Sequence, residues 1–262
     1  MKLVKDNSIQ YYYIARISYL GTNYSGLQRQ TKNPNTIQER IESTLTEVLN
    51  YEKVKISVAS RTDTGVHALC QYIKIKISKE FDPFKLQKIL NHKLPLDIRI
   101  NQLVKSTRAF NLQKAISTKT YRYYFCHDTA PLATKASTIY HSYTFLNIEK
   151  MKKAALLFEG EHDLIHFCVL GARASNSKRT LISCEIIEDP QAPLIFYLEI
   201  KANGFLKYMV RFIMGSLLKV GEEKITVEDI KRALKDVSRQ PLPYKAPPHG
   251  LQLYHMEFLK NT

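Results

Sequence analysis

The stretch Arg61-Thr62-Asp63-Thr64-Gly65-Val66-His67-Ala68 connects two segments, residues 54–59 and 71–78, in which apolar and polar residues alternate. Such alternation predicts two β-strands, each with one buried face. The octet therefore places an acidic side chain, Asp63, on the loop between the strands, with an arginine two positions before it and a glycine two positions after it. Asp and Gly are also favoured in ordinary turns, so Thr-Asp-Thr-Gly alone would indicate no more than a turn.

The segments around the octet predict a complete β-α-β-β-α-β unit. Residues 11–20 predict a strand, and Thr36 with Glu39 forms a capping box at the start of an amphipathic helix. After the octet, Asp82 and Pro83 provide an N-cap and a first-turn proline for a second helix, and residues 98–105 predict the closing strand. This order is the ferredoxin-like arrangement, which leaves one sheet face free, as in the RRM domains that bind RNA.

The second half of the chain predicts the same order with a longer insert. Its strands are predicted over residues 120–127, 179–188, 194–202 and 251–259, and its helices over residues 148–158, 205–220 and 226–236. Residues 129–143 predict a loop, and the prolines of residues 241–248 predict an extended connector. The fold class is therefore α+β, with ferredoxin-like half-domains at residues 1–112 and 113–262. We expect their sheets to join into one extended antiparallel or mixed sheet with a central cleft.

The composition favours a nucleic acid as partner. Lys and Arg number 39 against 24 Asp and Glu, and the resulting net charge of +15 would attract a phosphate backbone. The 16 Tyr and 11 Phe offer stacking surfaces for bases, although most of them must belong to the core. Because a lysine-rich surface is usually just a solvated face, charge and aromatic content favour RNA binding without proving it.

The cysteines and histidines predict reduced thiols and no metal site. The four cysteines are widely separated in apolar surroundings and predict core residues of a cytoplasmic protein: Cys70, Cys126, Cys168 and Cys184. His162 and His166 have the spacing of half a zinc site on a helix, but no further ligand cluster accompanies them, so no metal is predicted. The chain has no run of eighteen apolar residues and no apolar leader, so neither a membrane span nor secretion is expected.

As a whole, the octet resembles the signature of the tRNA pseudouridine synthase family called TruA. The resemblance extends over nearly the entire chain, through Tyr19-Leu20-Gly21-Thr22-Asn23-Tyr24-Ser25-Gly26-Leu27-Gln28, Lys119-Thr120-Tyr121-Arg122-Tyr123, Phe205-Leu206-Lys207-Tyr208-Met209-Val210-Arg211 with Gly215, and Ala246-Pro247-Pro248-His249-Gly250-Leu251. Ser60, Thr64 and Leu27 replace the usual glycine, alanine and tryptophan. The clearest departure is Asn111-Leu112-Gln113-Lys114, where the family usually has histidine, alanine, arginine and phenylalanine.

The resemblance implies three catalytic residues. Asp63 is the implied catalytic carboxylate, Tyr121 the active-site tyrosine, and Arg211 the second basic residue of the active site. Periodicity alone favours plainer roles, because it predicts Tyr121 in a core and Arg211 on the solvated side of its helix. His67 is expected to form structural hydrogen bonds in the loop, since the reaction already has a carboxylate. The candidate RNA-binding residues are Arg61, Lys119 and Lys207.

The implied activity is isomerisation of uridine to pseudouridine in the anticodon arm of tRNA by a homodimer. This reaction moves the bond at ribose C1′ from a base nitrogen to C5 and requires neither a redox cofactor nor an energy source. An ionised Asp63 would either attack C1′ or remove the C2′ proton to give a glycal, and both routes remain open. Two other functions fit the same pattern: a non-catalytic RNA-binding module, and a nucleoside or RNA hydrolase that uses Asp63 as a base.

Overall fold

The computed structural model describes residues 10–52, 54–127, 130–131, 133–170, 176–235 and 243–259. The chain divides into two compact units, of which the first ends at Ala115 and the second begins at Ile116. Each unit contains an antiparallel sheet together with helices, so the predicted α+β class is confirmed. Among the described residues, no helix combines the length and the apolar character needed to span a bilayer.

The first unit follows the predicted β-α-β-β-α-β order. Its elements are β1 (Tyr11–Tyr19), α1 (Ile37–Val48), β2 (Lys55–Val58), β3 (His67–Ile77), α2 (Pro83–Lys93), β4 (Ile98–Ser106) and a short α3 (Leu112–Ala115). The strands lie in the order β4-β1-β3-β2, and every neighbouring pair is antiparallel. The octet therefore connects two adjacent antiparallel strands, β2 and β3, and its last two residues begin β3.

Local capping decides where the helices of the first unit begin. The Thr36 hydroxyl accepts a hydrogen bond from the Glu39 N–H at 3.2 Å. The Asp82 carboxylate accepts one from the Lys85 N–H at 2.9 Å, directly before Pro83. Each cap satisfies an N–H group that has no partner inside the helix, which is why both starts could be predicted from sequence.

The stretch that departs from the family pattern forms α3. The Asn111 side chain caps this turn by accepting from the Lys114 N–H at 3.1 Å. The Gln113 amide donates to the Val58 carbonyl oxygen at 3.1 Å. Residues 111–114 thus connect the end of the first unit to the end of β2 by a hydrogen bond, close in sequence to the octet.

The second unit has the same plan with two added short strands, β6 and β7, and one added helix, α6. Its elements are β5 (Ile116–His127), β6 (Tyr140–Ser142), α4 (Ile148–Leu156), β7 (Gly160–Asp163), β8 (Lys178–Glu188), β9 (Ile195–Ala202), α5 (Met209–Gly221), α6 (Val227–Lys235) and β10 (Leu251–Phe258). The sheet order is β10-β5-β9-β8-β7, with antiparallel pairs, and β6 pairs with β5 in parallel. Without β6 and β7, the strand order is that of the first unit.

Three features of the second unit differ from the sequence prediction. Helix α5 begins at Met209 rather than at residue 205, because Tyr208 adopts a left-handed conformation with φ 62° and ψ 5°. The β6 strand lies inside the segment predicted as a loop, and β7 was not predicted at all. Both strands are too short to show a period of two. Thr129, Asp236 and the pair Pro241-Leu242 belonged to predicted segments and lie outside the described residues.

Candidate active site

The loop that carries Asp63 is held firmly where it leaves β2. The Ala59 N–H donates to the Tyr72 carbonyl oxygen at 2.9 Å and so continues the strand pairing past Val58. The buried Gln71 side chain then substitutes for a strand partner, because its amide donates to the Ser60 carbonyl at 2.8 Å and accepts from the Ser60 N–H at 3.3 Å. The backbone therefore stays ordered up to the residue before the octet.

A second loop, residues 20–36 between β1 and α1, holds the octet from the other side. The Leu27 N–H donates to the Thr62 carbonyl at 3.2 Å, and the Gly65 N–H donates to the Tyr24 carbonyl at 3.3 Å. The hydroxyl groups of Tyr19 and Thr62 share a buried hydrogen bond of 2.7 Å. Anchored residues thus stand on both sides of Asp63, so the path of its backbone is set by tertiary contacts.

Two glycines allow these loops to approach each other. A Cβ atom on Gly21 would lie 2.0 Å from the Val66 carbonyl oxygen, which is far inside van der Waals contact. Gly26 has φ +96°, and a Cβ atom there would lie 2.8 Å from the Thr62 carbonyl oxygen. No other residue type fits at Gly21 without moving the octet loop, and any other residue at Gly26 would also be strained.

Asp63 itself lies at the start of a tight turn and is half-buried. The Val66 N–H donates to the Asp63 carbonyl oxygen at 3.1 Å, and Gly65 takes φ 77°, as the third residue of a type II turn requires. The neighbours alternate, with Arg61 exposed and Thr62 buried. The octet therefore forms the turn that its composition predicts, and the same turn holds the Asp63 carboxylate in a defined position.

His67 has the structural role expected for it. Its ring is buried, and Nδ1 accepts a hydrogen bond of 3.0 Å from the Gly21 N–H. This bond joins the first residue of β3 to the loop that follows β1. Because Nδ1 acts as an acceptor, the ring is held in one orientation against the loop that follows β1.

We expect His67→Leu to destabilise the protein by about 1–3 kcal/mol, since the buried Gly21 N–H would lose its acceptor. The free energy of unfolding in urea measures the effect. His255→Leu, a matched substitution at an exposed position of β10, should change that free energy by no more than about 0.5 kcal/mol. Equal effects of the two substitutions would contradict the structural role of His67.

In the second unit, Tyr121 and Lys119 point to the same face of β5. Tyr121 lies opposite Leu253 of β10 and Ile200 of β9, and only 6% of its surface is exposed. Its ring meets the Phe205 ring edge-on, with 4.9 Å between the centroids. Lys119 precedes it by two residues on the same strand, and burial lowers the pKa of the Lys119 ammonium group.

Arg211 is buried rather than solvated, so the periodicity-based expectation was wrong. It is 9% exposed, and its Nε donates to the Ala246 carbonyl at 2.8 Å, while the Ala246 N–H donates to the Arg211 carbonyl at 2.9 Å. The connector before β10 covers this side of α5. A Cβ atom on Gly215 would lie 2.1 Å from the Tyr244 carbonyl oxygen, which shows how closely the connector approaches the helix.

The predicted site residues lie on the octet loop in the first unit, and on β5 and around the start of α5 in the second unit. Arg61 and Asp63 share the octet loop, and Lys119 and Tyr121 share β5. Lys207 is exposed, one residue before the N-cap of α5, and Arg211 lies in the first turn of that helix. Sequence reasoning missed the residues that hold these groups in place. Gly21 and Gly26 belong to residues 19–28, which resemble the family, but nothing in the sequence marked Gln71.

The histidine pair does not have the geometry of a zinc site. His162 lies in β7, where Nε2 is 2.8 Å from the Glu159 carbonyl oxygen, and His166 is buried in a 3-10 turn. No helix places the two rings on one face. Within the described parts of the chain, no group of three His, Cys, Asp or Glu residues is placed to hold a metal ion.

Comparison with known proteins defines the class of protein. The family model described as tRNA pseudouridine synthase matches residues 15–110 and 154–259. A protein of Desulfotalea psychrophila named tRNA pseudouridine synthase A 2 is 34% identical over 258 residues, which cover 94% of this chain and 98% of the relative. Proteins named tRNA pseudouridine synthase A from Thermoanaerobacter sp. and Chlamydia felis are 37% and 36% identical, and the matches cover 90% and 93% of this chain and 95% and 90% of the relatives.

The chain belongs to the TruA family of tRNA pseudouridine synthases. The family that the octet suggested is therefore confirmed, and with it the pseudouridine synthase fold and the enzyme class, an isomerase. The match of the family model begins in β1 and ends after β10, so both units belong to the family.

Proposed function

We propose that this protein isomerises uridine to pseudouridine in the anticodon arm of tRNA, with Asp63 as the catalytic carboxylate. The observation that carries the proposal is the fixed backbone on both sides of Asp63, held by the Thr62 and Gly65 hydrogen bonds. A reacting carboxylate must be positioned to within a fraction of an ångström, and such anchoring provides that precision. Membership of the family supports tRNA as the substrate.

The reaction breaks the bond between uracil N1 and ribose C1′ and forms a bond between C5 and C1′. Asp63 either attacks C1′ or removes the C2′ proton, and in both cases the ionised carboxylate is the reacting form. In this proposal Tyr121 stacks on uracil and its phenol helps to remove the C5 proton. Arg211 supplies the positive charge that keeps a carboxylate ionised in a pocket shielded from water.

Three further residues are proposed to bind RNA. A uridine in a helical arm must leave the base stack before it can react, and a side chain has to compensate for the lost stacking. Arg61 is exposed on the octet loop and is proposed to fill that space or to hold the phosphate of the flipped nucleotide. Lys119 and Lys207 are proposed as phosphate contacts, in keeping with the net charge of +15.

The proposed activity predicts that purified protein will convert uridine in an unmodified tRNA transcript without added metal or nucleotide cofactor. Pseudouridine is detected by carbodiimide labelling, because the isomerisation does not change the mass of the RNA. Release of free uracil or cleavage of the RNA would instead identify a hydrolase. Tight binding of the transcript with unchanged uridine would identify a non-catalytic RNA-binding module.

The target site, the assembly and the location belong to the same proposal. The anticodon arm is supported by the family resemblance, and mapping pseudouridine in tRNA from cells with and without the gene tests it. A homodimer is also supported only by the resemblance, and light scattering of the purified protein tests it. A cytoplasmic location is supported by four buried cysteines without disulfides, and fractionation of cells tests it.

A further inference from the structure

Three cationic side chains surround a single tyrosine ring in the second unit. The ammonium groups of Lys207 and Lys245 lie 4.9 Å and 4.6 Å from the centroid of the Tyr208 ring, and the Arg211 guanidinium carbon lies 5.4 Å from it. We call these four residues the Tyr208 cluster. They come from two segments, the start of α5 and the connector before β10, so the ring gathers charges that are distant in sequence.

The chain segments that carry the cluster contain no acidic residue. Residues 200–221 and 237–256, which include all four members, contain no Asp or Glu. Within the described part of the chain, neither Lys207 nor Lys245 forms an ion pair, and the interaction found for each ammonium group is with the tyrosine ring. Both lysines are exposed, whereas the ring is half-buried. The ammonium groups therefore face solvent and remain accessible to a ligand.

Electrostatics then indicate what this cluster binds. Like charges around one ring lie within about one Debye length at 0.1 M salt, roughly 10 Å, so they repel one another. The negative face of the ring offsets part of this repulsion and limits the positions that the lysines occupy. An anion near the ammonium groups would offset more of the repulsion. A phosphodiester group fits, because it carries one negative charge and several acceptor oxygens.

We propose that the Tyr208 cluster is a phosphate-binding site for the tRNA backbone, in which Lys207 and Lys245 hold one phosphate and Tyr208 is the residue that positions them. This inference rests on the proposed tRNA substrate and adds Lys245 and Tyr208 to the RNA-binding residues. Tyr208 acts through the lysines and needs no contact with RNA. The backbone of Tyr208 also contributes to the site. Its left-handed φ of 62° places Lys207 before the helix rather than in its first turn.

The test measures the affinity for an unmodified tRNA transcript over a series of KCl concentrations. Lys245→Gln should weaken binding roughly 3- to 10-fold at 0.15 M salt and reduce the slope of log affinity against log salt by about one. Lys153→Gln, the same change at an exposed position of α4, is the matched control and should alter affinity and slope much less. Lys245 is exposed, so its substitution should leave folding unchanged.

Variants of Tyr208 separate its positioning role from a structural one. Tyr208→Phe keeps the ring and should bind tRNA as the wild type does. Tyr208→Asn removes the ring but tolerates the left-handed backbone, and it should lower both affinity and salt slope while the melting temperature stays at or above that of the wild type. In the Lys245→Gln background, the effect of Tyr208→Asn should become smaller, since the two residues act together.

The proposal is overturned if Lys245→Gln and Tyr208→Asn leave affinity and salt slope unchanged, or change them no more than Lys153→Gln does. Conversion of uridine in the wild-type protein is measured in parallel. If the wild type forms pseudouridine and the variants bind normally, only the phosphate site fails. If the variants lose salt slope as expected but the wild type forms no pseudouridine, the proposed function fails while the phosphate site stands.

Discussion

Asp63→Asn is expected to abolish pseudouridine formation while leaving tRNA affinity within about threefold of the wild type. Removal of a group that makes and breaks covalent bonds typically lowers the turnover rate by about four to six orders of magnitude. The amide is nearly isosteric with the carboxylate but cannot act as a nucleophile or as a base at neutral pH. The hydrogen bond that closes the turn uses the Asp63 backbone carbonyl, so the loop should keep its shape.

The measurement is single-turnover conversion of uridine in a tRNA transcript, with binding measured on the same preparation. Asp189→Asn is the matched control, because it makes the same chemical change where the side chain accepts the Gln191 N–H in a turn. An amide oxygen accepts this bond equally well, and the control should retain full activity. If Asp63→Asn formed pseudouridine at the wild-type rate, Asp63 would not be the catalytic group.

The second large effect is expected for Gly21→Ala, which should lower the turnover rate by roughly 100-fold. The added Cβ atom would lie 2.0 Å from the Val66 carbonyl oxygen, and neither backbone can accept it without a shift. Val66 is hydrogen-bonded to Asp63 through the turn, so the shift would be passed to the carboxylate. A displacement of about 1 Å at a reacting group is enough to reduce a rate by about two orders of magnitude.

Gly204→Ala is the control for this substitution. A Cβ atom on Gly204 would find only Arg179 Nε at 4.0 Å, which is ordinary contact, so this variant should keep its activity. Both variants are compared by turnover rate, by tRNA affinity and by melting temperature. Normal turnover by a folded Gly21→Ala protein would show that the loop tolerates movement and that its anchoring does not position Asp63.

The two ferredoxin-like units could be predicted because their signals are local. Strand alternation, the Thr36 cap and the Asp82-Pro83 start depend on residues within a few positions of each other. The start of α5 was missed because an apolar stripe continues before it, through Leu206. The helix nevertheless starts after Tyr208, because this residue has a left-handed backbone conformation. Sequence periodicity does not report backbone dihedral angles.

In the candidate site, too, local features could be predicted from the sequence and long-range contacts could not. The octet identified the family and the acidic residue, since a loop that must present a carboxylate between two strands requires particular residues in a short, contiguous order. The burial of Arg211 could not be predicted from neighbouring residues. It depends on a connector more than thirty residues further along the chain, with Ala246 bonded to both the backbone and the side chain of Arg211.

Residue order alone was therefore sufficient for the α+β class and the family, and it supplied Asp63 as the candidate carboxylate, because each of these depends on neighbours in the chain. Folding in three dimensions was needed to reveal the anchors of the octet loop, the burial of Arg211 and the gathering of Lys207 and Lys245 around Tyr208. These features join residues that are distant in sequence. Contacts between such residues form only when strands, loops and helices pack against one another, so no local sequence pattern predicts them.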